Sequence, residues 1–113
     1  LEGYPLDLND AVIAASGASR CIDIGHLWLD NHDPLAYFPA RLEQTSIIHL
    51  HGIKERDHQS LGNMSNQCID DVFTTLFETG YNGIVTLEVF SEEDFHSSMQ
   101  TVSASIRRIW GDR

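Results

Sequence analysis

Short apolar runs with strand character alternate with longer segments of helical periodicity. That alternation most constrains the fold. "GIVTLEVF", 83–90, is rich in β-branched and aromatic residues and predicts a strand. "RCIDIG", 20–25, and "SIIHLHG", 46–52, predict two more short buried strands. Between and after them, "LNDAVIAASG", 8–17, predicts a helix capped by Asn9 or Asp10 and closed by Gly17. "DPLAYFPARLEQ", 33–44, predicts a helix with Pro34 in its first turn and a kink or stop at Pro39. Residues 65–79 place Ile69, Val72, Phe73, Leu76 and Phe77 at helical spacing, ended by Gly80. Residues 91–110 do the same with Phe95, Met99, Val102, Ile106 and Ile109, a stripe that with Trp110 reads as core.

Apolar strands separated by helices imply parallel strands covered by helices. The chain opens on "LEGYPLDLND", without Met or a helix cap, as though entered at the end of a strand, and reads as a piece of something larger. Counting Leu1-Glu2 as the tail of a first strand gives four strand–helix units in one partial domain, 1–113. Four units are half of a (β/α)8 barrel, which needs about 250 residues. A small open four-stranded α/β sheet is the competing architecture.

Composition removes some function classes. Seventeen acids against seven bases give a formal net charge of −10, which argues against a nucleic-acid footprint and does not exclude a site for divalent cations, although acidity alone more often reflects a soluble surface. Cys21 and Cys68 form no CxxC pair, lie in apolar runs and predict buried thiols. No apolar stretch approaches the roughly 18 residues of a membrane span, and no signal peptide is visible, so the expected location is cytoplasmic.

In parallel α/β architectures, sites gather at the C-terminal ends of strands. Here each apolar run ends in residues that ligate metals: Glu2, then Asp23 with His26, then His49 and His51, then Glu88. Strand side chains repeat every two residues, so His49 and His51 share a face. A single Glu at a strand end is commonly solvated, and a single His near a turn is commonly satisfied by its neighbours. Asp23 inside "CIDIG" and Glu88 inside "TLEVF" resist that reading, because a charge in an apolar strand needs a partner. All four strands are loaded in this way, and such ligands suit Zn, Mn, Co or Fe. His32 and His96, in helix-flanking contexts, read as surface residues.

These residues resemble a known family. Glu in "LEGY", Asp-x-x-His in "CIDIGHL", His in "IHLHG" and Glu in "TLEVF" are similar to strands five to eight of the xylose-isomerase-like, apurinic-endonuclease-type TIM barrels. The resemblance covers essentially the whole chain, as the C-terminal half of that barrel, and Asp-x-x-His is its most specific element. It implies a divalent metal held by Glu2, Asp23, a strand-seven histidine and Glu88. His51 is the preferred strand-seven ligand, with His49 a second ligand or substrate contact. Endonuclease-type members carry Asp-x-His after this strand, whereas Asp57-His58 are adjacent here, which weakens the analogy for a further metal site.

"HLHG…RDHQSL" followed by "LEVF" resembles the cobamide-remodelling hydrolase branch. On that resemblance the expected activity is metal-dependent phosphoester hydrolysis. His26, His49, Asp57 and His58 would add ligands, Lys54 and Arg56 would neutralise phosphate, and Glu2, Glu88 and His26 would form the catalytic set. The alternative is a sugar isomerase or epimerase, with one metal and two Glu carboxylates moving protons beside a carbonyl. Either way the substrate is a small phosphorylated or sugar-like molecule. Exposed edges of a half-barrel would favour a homodimer.

Overall fold

A computed structural model describes residues 6–111. The β-branched runs form strands β1 (Arg20–Asp23), β2 (Thr45–Leu50) and β3 (Ile84–Leu87), paired in parallel in the order β1-β2-β3. Helices α1 (Leu6–Ser16), α2 (Ile24–Leu29), α3 (Pro34–Tyr37), α4 (Asn66–Glu78) and α5 (Glu92–Trp110) alternate with them. The chain is therefore mixed α/β with a three-stranded parallel sheet. The expected strand at Leu1-Glu2, and Glu2 itself, lie outside the described residues.

Helix ends fall where side chains satisfy exposed N–H groups. Ser65 caps α4 by accepting the Cys68 N–H, and Ser91 caps α5 by accepting that of Asp94. The long helix expected over 33–44 divides at Pro39 into α3 and a 3-10 segment, Pro39–Gln44, as a proline lacking its N–H requires. The strand expected over 20–25 is shorter: Asp23 accepts the His26 N–H and starts α2, which takes Ile24 and Gly25 into a helix. Likewise β2 ends at Leu50 and β3 at Leu87, so His51 and Glu88 lie just past strand ends.

Register sorts the two sheet faces. Ile22 lies beside Ile48, and Leu50 beside Leu87. Ile22, Ile48 and Leu50 are buried in one core with Ile69, Val72, Phe73 and Leu76 of α4. Each such side chain contributes about 1.5–3 kcal/mol through burial. The opposite face places Cys21 beside Ile47 and Ile84, then Asp23 beside His49. This face is not closed over by the described residues: Cys21 is exposed, and Ile84 is 61% exposed. The expected burial of the cysteines fails for that reason; Cys68 is only half-buried, on α4. The stripe on α5 is corrected too. Phe95, Met99 and Trp110 are exposed, and the helix docks through buried Ser98 and Ser105. Ser98 Oγ accepts the Leu61 N–H and Ser105 Oγ donates to Asp70, so hydrogen bonds seat α5 together with Val102 and Ile109, the part of the stripe that packs against the core.

No residue of α1 is fully buried. It is held by Asp10, whose carboxylate accepts two hydrogen bonds from Arg41 (2.9 and 2.7 Å) and pairs with Arg20 (3.0 Å). The Arg41 hydrogen bonds hold the Asp10 carboxyl at about 2, below its usual 3.8. A depressed folded-state pKa stabilises the fold above the unfolded value, and that contribution is lost as pH falls through about 2. Asp10 is over a third exposed, so screening leaves the contribution at about 1 kcal/mol. Amide protection over Leu6–Ser16 is expected to fall between about pH 4 and pH 2, ahead of α4. Asp10→Asn should produce the same loss at neutral pH, and unchanged α1 protection in that variant contradicts the anchor.

Candidate metal centre

Asp23 stands at the centre of the site because it is both the last residue of β1 and the N-cap of α2. Its Oδ1 accepts the His26 backbone N–H (2.9 Å) and faces His51 Nε2 (2.9 Å). Its Oδ2 is buried and makes no hydrogen bond, although His26 Nδ1 lies 3.1 Å away and His49 Nδ1 3.9 Å. Burial pushes the Asp23 carboxyl up, but the His51 hydrogen bond, the His26 N–H and the nearby imidazoles together hold it below the usual carboxylate range. Asp23 therefore presents an ionised oxygen in a half-buried setting.

Parallel pairing puts His49 beside Asp23. A hydrogen bond from the Glu88 N–H to the Leu50 carbonyl (3.0 Å) carries the β2–β3 ladder one step further and brings Glu88 to the same rim. Glu88 Oε2 then lies 2.9 Å from His49 Nδ1. Asp23, His49 and Glu88 bring one ligand atom each to within 4.8 Å of one another.

His26, His51 and His58 form a second group of the same kind beside the first. Their ring centroids are 4.3 to 5.3 Å apart. His51 is fully buried, and its ring rests against Gly25, where a Cβ would collide with it. The His58 backbone N–H donates to His51 Nδ1 (3.0 Å), so that nitrogen carries no proton and Nε2–H donates to Asp23. A longer approach of Nδ1 to the Gly52 carbonyl (3.4 Å) would demand the opposite tautomer. The backbone N–H admits only one direction and decides the matter. Both His51 nitrogens are thus committed. His58 Nδ1 donates to the Glu88 carbonyl (3.0 Å), and its Nε2 lies 3.6 Å from Asp57. His26 Nε2 lies 3.0 Å from Asp57, and that contact, above all, holds the Asp57 carboxyl below its usual range.

Seven of the expected ligands are therefore brought to one rim: Asp23, His26, His49, His51, Asp57, His58 and Glu88. Lys54 and Arg56 reach the adjoining loop but not the cluster. Both are exposed, and among the described residues neither pairs with Asp23, Asp57 or Glu88. That loop is closed by Gln59, whose Oε1 accepts the Lys54, Glu55 and Arg56 N–H groups while its backbone pairs with Gly52. His32 and His96 are exposed, as expected. Two residues went unnoticed in the sequence as parts of the site. Gly25, between Asp23 and His26, is the space His51 occupies, and Phe90, just past "LEV", stacks on His58. An aromatic residue directly beyond a strand-end carboxylate was the available signal for Phe90; nothing local marked Gly25.

The fold and site together define a parallel α/β chain with a histidine–carboxylate cluster at the C-terminal ends of its strands. Compared with protein-family models, with curated proteins and with solved structures, the chain has no match. Among the described residues no helix is long and apolar enough to cross a membrane.

Proposed function

We propose that the chain is the C-terminal half of a (β/α)8 barrel belonging to a divalent-metal-dependent hydrolase of phosphoester bonds. The carrying observation is Asp23 Oδ2, a buried oxygen with no hydrogen bond, flanked by His26 and His49 where two ligand groups meet. That oxygen faces imidazole nitrogens, His26 Nδ1 at 3.1 Å and His49 Nδ1 at 3.9 Å, and buried carboxylates and imidazoles converging in this way are the donor set a divalent cation takes. The open sheet face supports the half-barrel reading, since parallel sheets are otherwise covered on both sides.

Asp23, His49 and Glu88 would hold one ion, Zn, Mn or Co, with Glu2 as the further ligand the family resemblance implies. Asp57 and His58 would serve a second, while His26, paired with Asp57, acts on the leaving oxygen instead. His51 positions Asp23 rather than ligating, because its nitrogens are engaged. A bound divalent ion supplies Lewis acidity, polarising a phosphoryl oxygen and making water more acidic. Glu88, partly exposed at the rim, accepts the proton of the attacking water as the new P–O bond forms. His26, linked to Asp57, delivers a proton to the leaving oxygen as the old P–O bond breaks. Lys54 and Arg56 draw the anion to the rim.

Metal content after equilibration with Zn2+, Mn2+ or Co2+ tests this. More than one ion per chain is expected, with a rise in folding stability of about 2.7 kcal/mol for each ion bound at a hundredfold excess over its Kd. One ion per chain, together with ketose turnover by the completed barrel, would replace the hydrolase with a sugar isomerase. This chain alone is expected to turn over little, because half the rim belongs to other strands. A second copy pairing through the strand edges would appear as a dimer in size-exclusion chromatography.

A further inference from the structure

We infer that Gln59 is a positioning residue that shapes the loop after β2 so that Asp57 and His58 face one ion together. The inference rests on the two-ion hydrolase reading and deepens it. Adjacent residues on an extended chain send their side chains to opposite sides. Asp57 and His58 nonetheless both reach the cluster: Asp57 Oδ2 lies 3.0 Å from His26 Nε2 and 3.6 Å from His58 Nε2. His58 turns the chain between them with φ 56°, in the left-handed region that residues with a Cβ seldom adopt.

A backbone conformation of that kind persists only where its surroundings over-determine it. Three sets of contacts do so here. The His58 N–H donates to His51 Nδ1 (3.0 Å). Gln59 exchanges backbone hydrogen bonds with Gly52 (2.8 and 3.0 Å), where a Cβ would strike the Ser60 carbonyl. The Gln59 side chain then reaches back across the loop, and its Oε1 accepts the N–H groups of Lys54, Glu55 and Arg56 (2.8, 3.1 and 3.4 Å). Only Asp57 and His58 lie between the clamped N–H groups and Gln59, so holding both ends fixes these two residues.

Solvation alone does not call for this clamp. Lys54, Glu55 and Arg56 are exposed, and water satisfies their N–H groups once the carboxamide is removed. What three bonds to one oxygen add is a fixed loop shape. Partners one step behind the ligands tune metal affinity by holding ligand orientation.

Co2+ titration of the 113-residue chain, followed by visible absorption and by metal content, tests the role. Wild type is expected to bind in two phases, and Asp57→Asn, which removes a ligand, identifies the phase that belongs to Asp57 and His58. Gln59→Ala should weaken that phase about 10- to 100-fold and leave the Asp23–His49–Glu88 phase unchanged. Gln59→Glu, which restores an acceptor oxygen at the same reach, should recover it. The thermal midpoint without metal should stay close to wild type in both Gln59 variants. A lowered midpoint with both phases weakened alike would mean a purely structural role and overturns the inference. An unchanged second phase in Gln59→Ala, with two ions still bound, also overturns it and leaves the hydrolase reading standing. A wild-type chain that takes up only one ion removes the two-ion site and the positioning role together.

Discussion

Gly25→Ala is expected to destabilise the protein by about 2–4 kcal/mol, although helix propensity alone predicts the reverse. Gly25 lies inside α2, where alanine is favoured over glycine by about 1 kcal/mol. The added Cβ would collide with the His51 ring, however, and that ring has nowhere to go. His51 is fully buried, receives the His58 N–H on one nitrogen and donates to Asp23 from the other. Overpacking costs about 1–3 kcal/mol, and losing a hydrogen bond to a charged group about 1.5–3 more, so the collision outweighs the propensity gain. Urea unfolding of the variant measures the difference. The double variant Gly25→Ala with His51→Ala should show less than the sum of the two single losses, because the second change removes the obstacle. A more stable Gly25→Ala would mean that His51 does not occupy this position.

Asp23→Asn is expected to separate folding from metal binding. Asparagine keeps one oxygen, which can still cap α2 and accept from His51 Nε2–H, as Asp23 Oδ1 does. The atom replacing Oδ2 is a neutral amide nitrogen that cannot ligate a cation. Stability in the absence of metal should therefore fall by only about 1 kcal/mol, whereas affinity for Zn2+ should fall by on the order of 100-fold or more. Asp23→Ala should lose affinity and also about 2–4 kcal/mol of stability, from the missing cap and an unsatisfied buried imidazole N–H. Equal Zn2+ affinity in wild type and Asp23→Asn would show that the buried oxygen faces no ion.

Local pattern was sufficient for most of the elements. The β-branched runs, the helical spacing of 65–79 and 91–110 and the break at Pro39 all follow from interactions within a few residues, which the order of residues records directly. The strand-end clustering of Asp23, His26, His49, His51 and Glu88 was legible too, because strand alternation and parallel order depend only on that order. Three features were not. "CIDIG" looked like one strand, but Asp23 caps a helix there through a bond to the His26 N–H only three residues on, a local signal that the apolar strand pattern on either side of Asp23 outweighed. The apolar stripe of α5 looked like core throughout, yet Phe95, Met99 and Trp110 are exposed and Ser98 and Ser105 take the fully buried positions beside Val102 and Ile109, since what covers a helix is decided by its neighbours. His49 and His51 were equivalent in sequence, each an imidazole on one strand face. The order of residues thus determined that imidazoles and carboxylates would meet at one rim. Tertiary structure alone separated their roles: the His58 backbone N–H and Gly25 commit His51 to Asp23, while His49 remains turned toward Glu88.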